Sequence, residues 1–260
     1  MAGQRYLAMT RDVSSTLGNC ELTHVERSPI DVDKAREQHR SYRECLTRLG
    51  VSVVCLPASD QLPDSVFVED TAVVVDEGAV ICPMGTPSRR REPPVIADRL
   101  KAYRSVLALD DSVSIEGGDV LRIGREFLVG QSSRTSREGI EAFCRIVEPW
   151  GYSVTTVPVR GSLHLKTALC AIDDEHCLVN QHWVDVTPLS RFDLLEVPVD
   201  EPFAANVLRV DEHIVVAQGH PRTAELLASR GYDVTTVDIS ELAKAEAGLT
   251  CLSLVFADLT

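Results

Sequence analysis

Two segments of the chain are near copies of each other: Gly151-Tyr152-Ser153-Val154-Thr155-Thr156-Val157-Pro158 and Gly231-Tyr232-Asp233-Val234-Thr235-Thr236-Val237-Asp238. Each follows an amphipathic run, residues 141–147 and 223–229, that reads as a helix stopping at the glycine. Each then supplies a β-branched strand, so the pair is one supersecondary unit used twice. Looser copies at residues 49–57, 103–110 and 192–198 bring the total to five helix-to-strand units. Their spacing of about forty to fifty residues is that of a repeat architecture.

After each strand, a short polar segment leads into two apolar runs split by a charged or glycine turn. These are residues 71–75 with 80–82, 120–123 with 127–130, 168–172 with 177–180, and 207–210 with 214–217. A fifth run, residues 252–256, ends the chain, and its natural partner is the run at residues 5–9. A chain whose last unit is completed by its first strand is a closed ring. The expectation is an α/β fold of five ββαβ-like units around a pseudo-fivefold axis, with residues 1–260 forming a single domain.

The net charge of −13 argues against nucleic acid, which needs a basic face, and is compatible with a small cationic ligand or simply with a solvated acidic surface. No apolar run is long enough to span a bilayer, and the first residues lack a signal peptide's apolar core, so no membrane is expected. None of the eight cysteines forms a C-x-x-C pair and most sit in apolar runs, which suits reduced thiols in a cytoplasmic protein. The seven histidines show neither H-x-x-x-H nor H-E-x-x-H spacing, and there is no phosphate loop, G-x-G-x-x-G or G-x-S-x-G. No metal and no cofactor are therefore expected.

In a ring of repeats, the residues just before each hairpin converge on the axis. These junctions hold Asp64, Glu69 and Asp70 in the first unit, Glu116 and Asp119 in the second, and His164 in the third. The fourth offers Asn206 and the fifth Cys251. Cysteine and histidine in matching register are a candidate nucleophile and acid/base. Taken singly, each also reads as a buried core residue. Carboxylates clustered with a thiol suit a planar cationic electrophile: acids grip the N–H donors of a guanidinium while sulfur attacks its central carbon. Binding that cation would also favour the thiolate.

The string Asp64-Ser65-Val66-Phe67-Val68-Glu69-Asp70-Thr71-Ala72-Val73-Val74 resembles the signature of the dimethylargininase family. So do Pro87-Ser88-Arg89-Arg90, Glu116-Gly117-Gly118-Asp119-Val120-Leu121, Gly124-Arg125-Glu126-Phe127, Val129-Gly130-Gln131-Ser132-Ser133-Arg134-Thr135, Leu163-His164-Leu165-Lys166 and Leu249-Thr250-Cys251. The resemblance runs in order along nearly the whole chain. It implies the pentein five-bladed α/β-propeller and hydrolysis of methylated arginine to citrulline through a covalent cysteine intermediate, by a monomer or homodimer. It implies Cys251 as nucleophile, His164 as general acid and base, and Glu116 as the carboxylate that orients it. Asp64, Asp70, Phe67 and Glu69 would surround the guanidinium, Arg89 and Arg134 would hold the α-carboxylate, and Leu22 would be a lid residue. Family members often carry a second cysteine after the nucleophile, where this chain has Leu252.

Arginine deiminases share the Cys/His/Glu set, but they are longer and usually carry aspartate two residues after the histidine, where this chain has Lys166. With lysine there, the side chain is expected to turn outward and leave room for methyl groups beside His164. Amidinotransferases and non-catalytic penteins are further alternatives, and the latter lack the Cys/His/carboxylate set.

Overall fold

The computed structural model describes residues 4–259; Met1–Gly3 and Thr260, which the single-domain expectation includes, lie outside the described residues. Among the described residues, fifteen strands form five three-stranded sheets. The chain opens with β1 (Tyr6–Arg11), α1 (Val32–Arg48) and β2 (Ser52–Leu56). Three units follow: β3 (Ala72–Val74), β4 (Ala79–Ile81), α2 (Pro93–Leu100), β5 (Val106–Ala108); β6 (Val120–Ile123), β7 (Glu126–Gln131), α3 (Arg137–Val147), β8 (Ser153–Pro158); and α4 (Leu165–Ala168), β9 (Leu169–Ala171), β10 (His176–Val179), β11 (Asp193–Glu196). The last stretch is β12 (Leu208–Val210), β13 (His213–Ala217), α5 (Pro221–Ser229), β14 (Asp233–Val237), α6 (Ser240–Ala243) and β15 (Leu254–Ala257).

Every sheet repeats one pattern, an antiparallel pair with a third strand parallel to one of its members; the pair is a hairpin in four sheets and joins β15 to β1 in the fifth. The parallel step needs a crossover, and helices supply it after β1, β4, β7 and β13. The expectation of a helix in every unit does not hold before β11. There the crossover carries only a 3-10 turn, Thr187–Leu189, since Pro188 and the β-branched Val184 and Val186 disfavour a longer helix. The near-identical helix-to-strand junctions have a local cause. Gly50, Gly151 and Gly231 take φ of 83°, 85° and 91°, the left-handed conformation that ends a helix and redirects the chain into a strand.

The ring closes as the terminal runs require. Tyr6, Leu7, Ala8 and Met9 of β1 pair antiparallel with Ala257, Phe256, Val255 and Leu254 of β15, and the Asp258 N–H donates to the Arg5 carbonyl at 2.8 Å. Alternation in β1 sends Leu7 and Met9 to a core shared with the next blade, beside Ile81, Ile96 and Leu100, while Ala8 faces the α1 side with Tyr42 and Leu46. Helix α1 follows the same logic: Asp31 caps it by accepting from the Lys34 N–H at 3.0 Å, and Ala35, His39, Tyr42 and Leu46 line its buried face.

Because β1 is the middle strand of the closing sheet, deleting residues 1–10 leaves β2 and β15 without a partner. The truncated chain is expected to lose the cooperative thermal transition of the full chain. Melting at an unchanged temperature would count against ring closure as the stabilising feature.

Candidate active site

Each junction before a blade's first strand is a tight turn pointing at the axis. Glu69 and Asp70 sit on the 3-10 turn Val68–Thr71, Glu116 precedes the turn Gly117–Asp119, His164 caps α4, and Cys251 lies on the turn Thr250–Leu252. The glycines here are dictated by crowding. A Cβ on Gly117 would lie 2.0 Å from the Glu69 carbonyl oxygen, and one on Gly118 would lie 2.7 Å from both Asp70 Oδ1 and His164 Nδ1.

These turns enclose a cavity lined by Asp64, Phe67, Asp70, Arg89, Arg134, His164 and Cys251, together with Glu21, Leu163, Ala245, Glu246 and Ala247. Glu116 is fully buried behind His164, its Oε2 2.7 Å from His164 Nε2 and its Oε1 accepting from the Gly85 N–H at 3.0 Å. Asp119 is equally buried and accepts from the Leu165 N–H at 2.8 Å and from the hydroxyls of Ser132 and Thr135, each at 2.6 Å. It therefore fixes the turn that carries His164, a role its place in the Glu-Gly-Gly-Asp motif only hinted at.

Burial disfavours a charged His164 imidazole, but Asp70, the Glu116 hydrogen bond and Asp119 outweigh it and lift the pKa to about 9. The ring therefore rests as an imidazolium near neutral pH. Burial would raise the Asp70 carboxyl, yet His164 and Arg89 hold it below its usual range. Asp70 Oδ2 accepts from Arg89 Nη1 at 2.7 Å, whereas Oδ1 is buried without a hydrogen-bond partner, 3.8 Å from His164 Nδ1. Ligand atoms of Asp70, Glu116 and His164 fall within 4.8 Å of one another, so a cation could also be held here. The Cys251 thiol is pushed well above its ordinary value by burial and by Glu69 and Asp70, opposed by the Gly248 N–H at 3.4 Å and by Lys166.

The remaining expected residues are placed unevenly. Asp64 accepts from the Glu21 N–H at 3.1 Å, and Phe67 forms part of the wall. Arg89 is committed to protein partners: Asp70, the Glu92 carboxylate at 2.8 Å and the Phe67 carbonyl at 3.2 Å. Arg134 is the less committed of the two guanidiniums, bonding the hydroxyls of Thr86 and Thr23 and standing 3.6 Å from Glu116 Oε1. Leu22 packs against the apolar core that Tyr42 and Leu46 of α1 share with residues of the first and last parts of the chain, and does not line the cavity. Its loop is held by Glu246, whose carboxylate accepts from the N–H groups of Thr23, His24 and Val25.

Lys166 does not turn outward. Its Nζ lies 2.6 Å from Glu69 Oε1, and Glu69 Oε2 accepts from the Thr250 hydroxyl at 2.6 Å. Burial opposes a charged lysine, but Glu69 raises its pKa, so the two form an ion pair. Glu69 and Lys166 line the inner end of a second, axial cavity of about 520 Å³ rather than the site itself. The sequence signals only a charge two residues beyond a histidine; its inward direction follows from an unpaired buried Glu69 being the costlier alternative. An aspartate at position 166 would set a second carboxylate against Glu69.

Replacing Lys166 by Met should destabilise the fold by about 3–5 kcal/mol because Glu69 is left buried and unpaired. Adding Glu69→Gln should recover much of that loss in urea denaturation, and a double variant no better than the single would contradict the pairing. His164 yields a pH signature with a definite sign. Its folded pKa of about 9 exceeds the ordinary imidazole value of 6.5. The stability it contributes, up to about 3 kcal/mol, is therefore complete below pH 6.5 and lost as pH rises through 9. Denaturation between those limits should show that slope in the wild type and not in His164→Asn.

Three comparisons bear on this geometry. Residues 23–188 match the family model described as N,N dimethylarginine dimethylhydrolase, eukaryotic. The N(G),N(G)-dimethylarginine dimethylaminohydrolase of Pseudomonas aeruginosa is 35% identical over 237 residues, covering 90% of this chain and 93% of that protein. A cysteine-to-serine variant of the Pseudomonas aeruginosa enzyme, solved in complex with citrulline, superposes with a TM-score of 0.92 at 32% identity, covering 97% and 99% of the two chains. A histidine-to-glycine variant of a dimethylarginine dimethylaminohydrolase, solved as an adduct with S-methyl-L-thiocitrulline, also gives 0.92 at 32% identity, over 98% and 100%. The ring of five blades, the cysteine and histidine on one cavity and the length of these matches agree: the chain belongs to the dimethylarginine dimethylaminohydrolase family of penteins.

Proposed function

We propose that this chain hydrolyses Nω-methylated arginine to citrulline and dimethylamine or methylamine, with Cys251 as the nucleophile. The observation that carries the reading is Asp70 Oδ1, a buried carboxylate oxygen without a hydrogen-bond partner, 3.8 Å from His164 Nδ1 on a cavity that Cys251 also lines. Such an oxygen calls for a cationic N–H donor, and a guanidinium supplies one on the edge facing Asp70 while presenting its carbon to sulfur. The relatives solved with citrulline and with a thiocitrulline adduct carry product-like and covalently attached ligands of that chemistry.

The electrostatics order the steps. Burial, and after it Glu69 and Asp70, disfavour the Cys251 thiolate. An entering guanidinium offsets those charges and lets Cys251 release its proton to solvent, His164 being already protonated. Sulfur adds to the guanidinium carbon, and the His164 imidazolium protonates the departing amine as the C–N bond breaks, leaving an S-alkylthiouronium. The now neutral His164 takes a proton from water, hydroxide adds to the same carbon, and the C–S bond breaks as the proton of the added hydroxyl passes to sulfur, returning the Cys251 thiol and citrulline. Glu116 keeps Nε2 engaged throughout, so the Nδ1 side of the ring, which faces Asp70, is the side that serves the substrate.

For the α-carboxylate, Arg134 is the principal clamp and Arg89 chiefly sets Asp70 in place. The substrate is thus a small cationic amino acid. The eight cysteines are free thiols, which suits a reducing cytoplasm, and no helix among the described residues is long and apolar enough to cross a membrane.

Incubation with asymmetric dimethylarginine, monomethylarginine and arginine, followed by citrulline measurement, should rank both methylated forms above arginine. Faster turnover of arginine at equal subsaturating concentration would replace this reading with a deiminase. Cys251→Ser should abolish turnover yet still bind substrate. Agmatine, which lacks the carboxylate, should be a poor substrate, and Arg134→Ala should cost about 1.5–3 kcal/mol in kcat/KM for methylarginine.

A further inference from the structure

The fourth blade brings no acid, base or nucleophile to the axis; at the equivalent junction, just before β12, stands Asn206, which is only 6% exposed. Its amide makes three hydrogen bonds in two directions. Nδ2 donates to the Lys166 carbonyl at 2.9 Å and to the Thr250 hydroxyl at 3.1 Å, while Oδ1 accepts from the Thr250 N–H at 3.1 Å. Thr250 immediately precedes Cys251, and Lys166 lies two residues beyond His164.

The same side chain also shapes the nucleophile's own hydrogen bond. A Cβ on Gly248 would lie 2.2 Å from both Asn206 Cγ and Oδ1, so the amide packs directly on the backbone of Gly248. The Gly248 N–H is the donor that reaches Cys251 Sγ, at 3.4 Å. One side chain therefore sets both the turn that carries the thiol and the amide that stabilises its thiolate, and ties them to the element that carries the histidine.

We propose that Asn206 is a positioning residue for the reaction, a brace that holds the Cys251 turn in register with His164 across three blades. The role requires a primary amide of this length. It must donate to one carbonyl and accept from one N–H at the same time, which aspartate cannot do because a carboxylate has no donor. Glutamine is longer by a methylene and would collide with Gly248. The proposal rests on Cys251 and His164 being the reacting pair.

The test compares wild type, Asn206→Asp and Asn206→Ala by steady-state kinetics with asymmetric dimethylarginine and by the pH dependence of Cys251 alkylation with iodoacetamide. Displacement of reacting groups by about 1 Å can cost on the order of 10²-fold. A fall in kcat of about that size is expected in both variants, with KM changed by less than about threefold. The alkylation profile should move to higher pH in Asn206→Ala, which adds no charge, as well as in Asn206→Asp. Retained kcat and an unmoved profile in either variant, even with a lower melting temperature, would make Asn206 merely structural and overturn the proposal. If Asn206→Ala does not fold, the near-isosteric Asn206→Asp decides by the same criteria. Absence of citrulline with the wild type would remove the functional reading instead, and the alkylation profiles would still judge the brace.

Discussion

Everything at the axis depends on the pairing of β1 with β15. Each three-stranded sheet is too small to bury both faces alone, and each blade finishes its core against a neighbour. With Tyr6–Met9 between Ser52–Leu56 and Leu254–Ala257, the series of contacts closes and no blade is left at an open end. Closure also brings the turn bearing Cys251, from the end of the chain, against turns bearing Asp70 and His164 from its first and middle parts. The active-site geometry is a consequence of the ring, because residues distant in sequence meet only when the circuit is complete.

The centre of that ring is unusually rich in buried charge. Glu69, Asp70, Glu116, Asp119, His164 and Arg89 are all under one-tenth exposed, and Lys166 reaches in from the side. Buried ions of one sign repel, and each costs several kcal/mol in desolvation unless paired. The arrangement answers this by distributing partners: Arg89 to Asp70 and Glu92, Lys166 to Glu69, His164 to Glu116. Asp70 Oδ1 is left without a hydrogen-bond partner, 3.8 Å from His164 Nδ1. The same cluster lifts the His164 pKa, while burial together with Glu69 and Asp70 suppresses the Cys251 thiolate.

The paired Glu69 and Lys166 line the axial cavity and not the one that bears Cys251 and His164. Their pairing also separates two sorts of acidic residue that look alike in the string Val68-Glu69-Asp70. Adjacent positions on a 3-10 turn point about 120° apart, so Asp70 faces the reacting groups while Glu69 faces lysine and threonine behind them.

Much of this was legible in the residues alone. The helix–glycine–strand copies at Gly151 and Gly231 specified the repeat, because only a residue tolerant of positive φ permits that abrupt exit from a helix. Apolar alternation in the two terminal runs specified closure, since both needed a partner and only each other remained. Matching junction positions marked Asp64, Glu69, Asp70, Glu116, Asp119, His164, Asn206 and Cys251 without distinguishing among them. Tertiary structure alone decided the direction of each side chain. Lys166 turned inward because a buried Glu69 lay within its reach, Arg89 was absorbed by Glu92 three residues on, and Leu22 packed against an apolar core cluster without lining the cavity. Periodicity along a chain reports which backbone positions approach the axis. It carries no information on which of several nearby charges will pair, because that choice is made by three-dimensional distances and by the desolvation of whichever group is left without a partner.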